Sequence, residues 1–311
     1  MFQGMEYVYE VYKEKSFSKA ARKMFISQPS LSANVKRVEQ KLGYPIFDRS
    51  TKPLELTEFG KNYIRSIEQI LSVKNEFANY VNDLGDLKTG NLILGGSSLF
   101  SSWIFPPLMG EFARRYPLVK MVLVEETTAQ LEQLLQNGSI DIMLDNCLLD
   151  EEVFENTVFR REHLLLAVPG NFKVNQCLTD YQISMKDIRD GNYLREEFPS
   201  VALERFREEP FIMMKPDNDT GKRAMDMFRK CGFAPRILFK LDQQMTSYNI
   251  TCSGMGISFI SDTLITKVPT HPDVIYYKLP SELSERKLFF YWKRGRYVSR
   301  PMEEFLRIAA G

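Results

Sequence analysis

The stretch from Phe17 to Gly43, FSKAARKMFISQPSLSANVKRVEQKLG, constrains the fold of this chain more than any other. Apolar residues at helical spacing predict one short helix that ends near Phe25 and a second helix that begins after Ser27. Ser27 is a favourable N-cap, Pro29 suits the first turn of a helix, and Gly43 is a common C-terminal stop. The stretch therefore predicts two helices joined by a tight turn, which is the layout of a helix-turn-helix.

The second of these helices has an apolar side and a small, polar side. The spacing predicts that the buried side of the helix consists of Leu31, Val35, Val38 and Leu42. The opposite side, called here the outward edge, consists of Gln28, Pro29, Ser32, Ala33 and Lys36. Glutamine and serine can hydrogen-bond base edges, and proline or alanine can contact a thymine methyl group. The outward edge therefore predicts a recognition helix in the major groove of double-stranded DNA, although a solvated basic helix pair has the same periodicity.

Basic residues near this edge are suited to the DNA backbone. Lys36 and Arg37 follow one turn after the small residues, and Ser27 adjoins Gln28. Beyond Gly43, the segments IFDRS and LEL predict a two-stranded wing, from which Arg49 and Lys52 would reach a phosphate or the minor groove. Residues 1–61 contain 11 Lys or Arg against 7 Asp or Glu, a modest excess that agrees with a DNA-binding head.

A longer helix is predicted from Glu58 to Leu84. Side chains that recur with heptad-like spacing form one stripe along this helix, and all of them except Lys74 are apolar. The stripe consists of Leu56, Tyr63, Ile67, Ile70, Lys74, Phe77, Val81 and Leu84. Such a stripe is typical of a helix that pairs with another helix, so we interpret this segment as a dimerisation helix. The alternative is that the stripe packs along the C-terminal part of its own chain.

After Gly90 the chain alternates strand-like runs such as LILGG, VKMVLVE, IDIMLD and LLLAVP with helical stretches. This order predicts a largely parallel, doubly wound α/β domain, and a second series of the same kind begins near PFIMMKPD. The sequence thus predicts a winged helix-turn-helix at 1–58, a linker helix at 59–88 and a two-lobed α/β domain at 89–311. We expect one lobe at about 89–163 plus 268–311 and the other at about 164–267.

From Met5 to about Ser66 the sequence resembles the N-terminal domain of the LysR-type transcriptional regulators. The shared features are the double alanine, Ser-Gln-Pro, the second serine, the Glu before Leu-Gly, Phe-x-Arg and Leu-Thr-x-x-Gly, in the order and spacing of that family. FPPLMGEFARRYPLVKMVLVE, LLQNGSIDIMLD and CSGMGISFIS are similar to its effector domain, which resembles periplasmic binding proteins. The chain departs from the family at Ala33, where an arginine is frequent, so an operator sequence cannot be transferred.

The resemblance implies an effector pocket between the two lobes. The turn with Ser97 and Ser98 follows a strand, and exposed N–H groups there would suit a carboxylate, although the serines can equally be caps. The family pattern implies that Thr127 also contacts the effector, with Met213 and Thr246 approaching from the other lobe. Asp145 is expected on the pocket floor or as a cap for a loop. The implied partners are double-stranded DNA, a small-molecule effector, further copies of the chain in a homodimer or homotetramer, and RNA polymerase.

Two other classes of protein are weighed against a regulator. An enzyme is disfavoured because the chain has two histidines, His163 and His271, and no phosphate-binding, nucleophile-elbow or zinc-protease motif. A secreted solute-binding protein would carry a signal segment instead of a helix-turn-helix. The four cysteines are widely spaced, which fits buried structural thiols in a reducing cytoplasm, with a redox sensor as the alternative. No cofactor, metal or membrane partner is expected.

Overall fold

The structure, a computed structural model, describes residues 1–51, 53–83 and 89–311. These residues form two compact units, one of residues 1–81 with 137–139, and one of residues 82–136 with 140–311. Within the described residues, no helix is both long enough and apolar enough to cross a membrane.

The first unit contains four helices and two short strands. The helices are α1 Met5–Glu14, α2 Phe17–Lys23, α3 Gln28–Leu42 and α4 Glu58–Asp83. Strands β1 Phe47–Asp48 and β2 Glu55–Leu56 pair antiparallel and form the predicted wing. Ala20 and Ala21 of α2 are buried beside Leu31 and Val35 of α3, so the double alanine allows the two helices to pack closely.

The Leu-Thr-x-x-Gly segment joins the wing to α4. The hydroxyl group of Thr57 accepts a hydrogen bond from the backbone N–H of Gly60 at 2.9 Å and donates to the carbonyl of Pro45 at 2.7 Å. A Cβ atom on Gly60 would overlap the carbonyl oxygen of Ile46, so only glycine permits this approach of the helix to the residue before β1. The segment therefore fixes where α4 begins.

Helix α4 divides into two halves with different surroundings. In its first half, Tyr63, Ile64 and Ile67 are buried in the core of the helix-turn-helix. In its second half, apolar side chains are exposed, namely Val73 at 66%, Phe77 at 65%, Tyr80 at 45% and Val81 at 48%. These four residues are called here the α4 apolar patch. The helix was predicted to reach Leu84, which lies outside the described residues.

The second unit is built on a mixed ten-stranded sheet. Its strands are β3 Gly90–Gly96, β4 Val119–Glu125, β5 Ile142–Asp145, β6 Phe154–Pro169, β7 Gln182–Ile183, β8 Pro210–Met214, β9 Arg236–Leu241, β10 Ile257–Ser261, β11 Val274–Lys278 and β12 Glu285–Lys293. The main strand order is β4-β3-β5-β12-β6-β10-β8-β9, and β11 pairs with β6 and β7. Its helices are α5 Ser98–Trp103, α6 Phe105–Arg115, α7 Thr128–Gln136, α8 Met185–Arg189, α9 Asp219–Lys230, α10 Gln244–Cys252, α11 Asp262–Ile265, α12 Ser281–Ser284 and α13 Arg300–Ala310. Short 3-10 helices span Lys173–Cys177, Thr179–Tyr181, Asn192–Leu194 and Leu203–Phe206.

Each lobe of this unit has a parallel trio of strands, β4-β3-β5 in the first lobe and β10-β8-β9 in the second. The expectation of a largely parallel sheet holds for these trios, whereas β6, β11 and β12 run antiparallel to their neighbours. All residues of β8 and β10 are buried, as is usual for parallel strands with both faces covered.

The chain crosses between the lobes in β6 and returns in β12. Sequence patterning placed the return near residue 268, but β11 pairs with Leu165–Pro169 of β6, and its Tyr276 and Tyr277 pack in the cores of the second lobe. The second lobe therefore extends to about residue 284. The physical reason is that the apolar run Val274–Tyr277 completes the sheet of the second lobe before the chain crosses back.

Candidate DNA interface and effector cleft

Local hydrogen bonds fix the start and the end of α3. Ser27 is the N-cap, and its hydroxyl accepts from the backbone N–H of Ser30 at 3.3 Å. Pro29 lies in the first turn, where its missing N–H leaves no helical bond unmade. Gly43 ends the helix with a φ of 78°, a left-handed conformation that favours glycine. The boundaries predicted from the sequence are therefore those of the structure.

The outward edge of α3 faces solvent. Gln28, Pro29, Ala33 and Lys36 are exposed and Ser32 is half-buried, whereas Leu31, Val35 and Val38 are buried in the core. A surface of small side chains beside one glutamine allows close approach of a base-pair edge. The arrangement thus meets the steric and chemical requirements of a recognition helix.

A hydrogen bond connects this edge to the preceding helix. The hydroxyl of Ser18, on α2, donates to the side-chain carbonyl oxygen of Gln28 at 3.1 Å. This bond orients the amide of Gln28 before any duplex is bound, because one of its two polar atoms is already engaged. Ser18 was not among the residues predicted from the sequence, and the contact across ten residues leaves no local signal.

Arg49 is held by groups within its own unit. Its guanidinium pairs with Oε2 of Glu39 at 3.0 Å and lies 5.2 Å from the ring centroid of Phe17. The other carboxylate oxygen of Glu39 accepts from the backbone N–H groups of Ile46 and Phe47 at 2.8 and 3.3 Å. Arg49 thus has a structural role in securing the wing. Its side chain is still 47% exposed and can also face a phosphate.

The other basic candidates differ in how they are held. Lys36 and Arg37 are exposed, and Arg37 donates to the side-chain oxygen of Asn34 at 3.3 Å. Lys52, the remaining wing candidate, lies outside the described residues. Lys36 and Arg37 lie at the C-terminal end of the outward edge on α3, where phosphate contacts would set the register of the helix on a duplex.

A cleft lies between the two lobes of the second unit. It consists of two adjoining chambers of about 190 and 260 Å³ that share Ser97, Ser98, Thr128, Asn218, Asp242 and Gln243. Of the residues predicted from the sequence, Ser97, Ser98, Thr127 and Asp145 line this cleft. They come from the carboxyl ends of strands β3, β4 and β5, where ligands bind in open α/β sheets.

Met213 and Thr246 do not line the cleft. Met213 is buried at 2% exposure in the core of the second lobe, and its neighbour Met214 faces the cleft instead. Thr246 is exposed, and the lining near it is formed by Gln243, Gln244 and Met245. In each case the residue on the cleft is next to the one expected, because adjacent residues of a strand or of a helix turn face different directions.

Asp145 occupies the floor of the cleft with all its partners supplied by the first lobe. Its Oδ1 accepts from the backbone N–H groups of Asn146 and Cys147 at 2.8 and 2.9 Å, and its Oδ2 accepts from the hydroxyl of Thr128 at 2.9 Å. Burial raises the pKa of its carboxyl group. The three hydrogen bonds lower this pKa, but their effect is smaller than that of burial. Asp145 therefore caps the loop after β5 as well as lining the cleft.

Three of the four cysteines have thiols that are difficult to ionise. Burial raises the pKa of Cys147, Cys231 and Cys252, and the nearby Asp145 raises that of Cys147 further. Because the thiolate is the reactive form, the raised pKa values lower the reactivity of these three thiols at neutral pH.

Two family models match the chain. "Bacterial regulatory helix-turn-helix protein, lysR family" matches residues 2–61, and "LysR substrate binding domain" matches residues 85–311. Among curated proteins, the chain is 28% identical over 305 residues to YcgK of Bacillus subtilis, an uncharacterised helix-turn-helix transcriptional regulator, covering 98% of this chain and 92% of YcgK. It is 30% identical to a probable RuBisCO transcriptional regulator of Trieres chinensis, covering 85% of this chain and 82% of that protein.

Solved structures have the same fold. A full-length OxyR variant from Pseudomonas aeruginosa superimposes with a TM-score of 0.68 at 18% identity, covering 100% of this chain and 96% of OxyR. Full-length CbnR in complex with its target DNA superimposes with a TM-score of 0.66 at 17% identity, covering 99% and 98% of the two chains.

Proposed function

Because the chain belongs to the LysR family of bacterial regulatory helix-turn-helix proteins, it is a ligand-responsive, DNA-binding transcriptional regulator, and we propose that the outward edge of α3 reads its operator. The observation that carries this proposal is that Gln28, Pro29, Ala33 and Lys36 are exposed together along the first nine residues of one capped helix. Gln28 and Ser32 supply hydrogen bonds to bases. The contacts to the sugar-phosphate backbone of the DNA come from Ser27, Lys36, Arg37, Arg49 and Lys52.

The regulator acts as an oligomer in this proposal. The α4 apolar patch exposes four large side chains on one helix, and a second copy of α4 is the partner that would cover them. Two copies present two recognition helices, so the operator is an interrupted inverted repeat. We place the DNA-binding head at 1–58, the linker helix at 59–88 and the effector domain at 89–311.

The effector binds in the cleft lined by Ser97, Ser98, Thr127 and Asp145 and shifts the equilibrium between two arrangements of the lobes. It acts only if it binds one arrangement more tightly than the other. RNA polymerase is the proposed partner for the regulatory output, and the site of action is the cytoplasm. The regulator is not an enzyme, as its family is one of transcription factors.

Selection of binding sites from a library of random duplexes with the full-length protein tests the proposal. We expect enrichment of an inverted repeat whose half-sites are separated by a spacer of constant length. Enrichment of no sequence, or of a single half-site without its repeat, would contradict it.

A further inference from the structure

The cleft between the lobes has an acidic lining. The charged residues that face its two chambers are Glu125, Glu126, Asp145, Asp217 and Asp242. Among the described residues, no lysine, arginine or histidine lines either chamber. A ligand that enters this cleft therefore meets negative charge from both lobes.

Two of these carboxylates are hydrogen-bonded or ion-paired within the protein. Asp145 accepts three hydrogen bonds from its own lobe. Asp242 pairs with Lys215 at 2.8 Å, a lysine that is not part of the lining. Within the described part of the chain, the side chains of Glu125, Glu126 and Asp217 form neither an ion pair nor a hydrogen bond. Asp217 also contributes, through its charge, to the raised pKa of Lys215. The remaining negative charge of the outer chamber is therefore concentrated at Glu125 and Glu126, at the end of β4.

The inner chamber has an apolar wall that faces serine, threonine, asparagine and glutamine side chains. Its walls include Leu99, Trp103, Met214, Met245 and Leu264. The two chambers share the serines of the β3–α5 turn, so one small molecule can reach both of them. The cleft is accordingly amphipathic, with an apolar wall in the inner chamber and most of the acidic side chains in the outer one.

We propose that the effector carries a protonated amine or guanidinium group on an apolar body. The apolar body occupies the inner chamber and the cation faces Glu125, Glu126 and Asp217. This inference rests on the proposed function, because that function makes the cleft the effector site. It replaces the carboxylate that the Ser97–Ser98 turn suggested from sequence, since a carboxylate here would face like charges with no cation in the lining.

Thermal unfolding of the full-length protein with five small compounds, three aromatic and two aliphatic, tests this class of effector. The probes are 2-phenylethylammonium, 2-phenylethanol and 3-phenylpropanoate, together with hexylammonium and hexanoate as an aliphatic pair. We expect the ammonium compounds to raise the Tm at millimolar concentration and the carboxylates to leave it unchanged, because only a ligand bound to the native state stabilises it. An equal or larger rise with the carboxylates, or no rise with either ammonium compound, overturns the inference.

A pair of matched variants locates the charge. The double variant Glu125→Gln, Glu126→Gln should weaken ammonium binding by roughly tenfold, since the ligand loses its ion pairs with both glutamates. The binding of 2-phenylethanol should be unchanged. Glu151→Gln with Glu152→Gln, two consecutive exposed glutamates outside the cleft, is the control and should change neither. Equal ammonium affinity in both variants contradicts the placement. Selection of DNA sites by the same protein separates failure of this inference from failure of the proposed function. If the protein selects an inverted repeat but does not bind the ammonium compounds, only the inference about the effector is wrong.

Discussion

Glu162 and Arg286 form an ion pair where the two lobe-crossing strands lie side by side, and both side chains are fully buried. Arg286 also donates to Asp219 at 3.0 Å and to the hydroxyl of Thr220 at 2.9 Å. Thr220 accepts in addition from Gln244 at 3.0 Å, and both Thr220 and Gln244 line the effector cleft. Hydrogen bonds thus connect the crossing between the lobes directly to a wall of the cleft.

Glu162→Gln should destabilise the effector domain by about 3 kcal/mol, because it leaves a buried guanidinium without its closest counter-charge. The matched control is Arg161→Gln on the same strand, which removes the exposed pair with Glu285 and should cost less than about 1 kcal/mol. Urea unfolding gives both values. Similar losses in the two variants would show that burial does not determine the strength of these pairs.

Phe25→Gly should stabilise the helix-turn-helix by roughly 1 kcal/mol. Phe25 lies in the turn before α3 with a φ of 56°, which is strained for a residue with a side chain, and it is 95% exposed. Glycine relieves the strain and sacrifices almost no packing. Phe25→Ala is the control, since it removes the ring but keeps the Cβ, and it should leave the Tm unchanged. An equal rise in Tm for both variants would assign the effect to the ring.

Phe77→Glu should weaken self-association by roughly 2 kcal/mol, because it places a charge in the centre of the α4 apolar patch. Asn75→Glu introduces the same charge at another exposed position of the helix and should leave association unchanged. Sedimentation equilibrium of the two variants and the native chain measures the difference. Unaltered association of Phe77→Glu would exclude the patch from the interface between copies.

Affinity for the operator should fall steeply as salt concentration rises, because lysine and arginine displace counterions from phosphates. Lys36→Gln should reduce the slope of log affinity against log salt by about 1. Lys230→Gln, an exposed lysine of the effector domain, should leave the slope unchanged. A flat salt dependence of the native protein would contradict the proposed phosphate contacts.

Those features of the helix-turn-helix that are set by residues close together in the chain can be predicted from the sequence. The N-cap at Ser27 and the stop at Gly43 are set within one turn of the helix, so their residue types suffice to locate α3. The role of Arg49 was only partly predicted. Its partner Glu39 is ten residues away, and no local pattern shows that a loop brings the two together.

The cleft is harder to read from sequence because its lining comes from many segments. All five residues of β8 are buried, so the strand has no alternating pattern to show that Met214 rather than Met213 faces the cleft. Gln243 and Gln244 line it because α10 begins there, and a helix start without a side-chain cap leaves little signal. The serines Ser97 and Ser98 were predictable because they follow a strand directly.

The most direct test of the central claim, that the outward edge of α3 reads bases, is to measure the affinity of Gln28→Ala for every single-base variant of the selected operator. The account predicts that discrimination falls by about 1–3 kcal/mol at one position in each half-site and remains elsewhere. Gln40→Ala, an exposed glutamine near the other end of the same helix, should retain the native preference. Equal weakening of Gln28→Ala on all duplexes, with the base preference intact, would contradict the account.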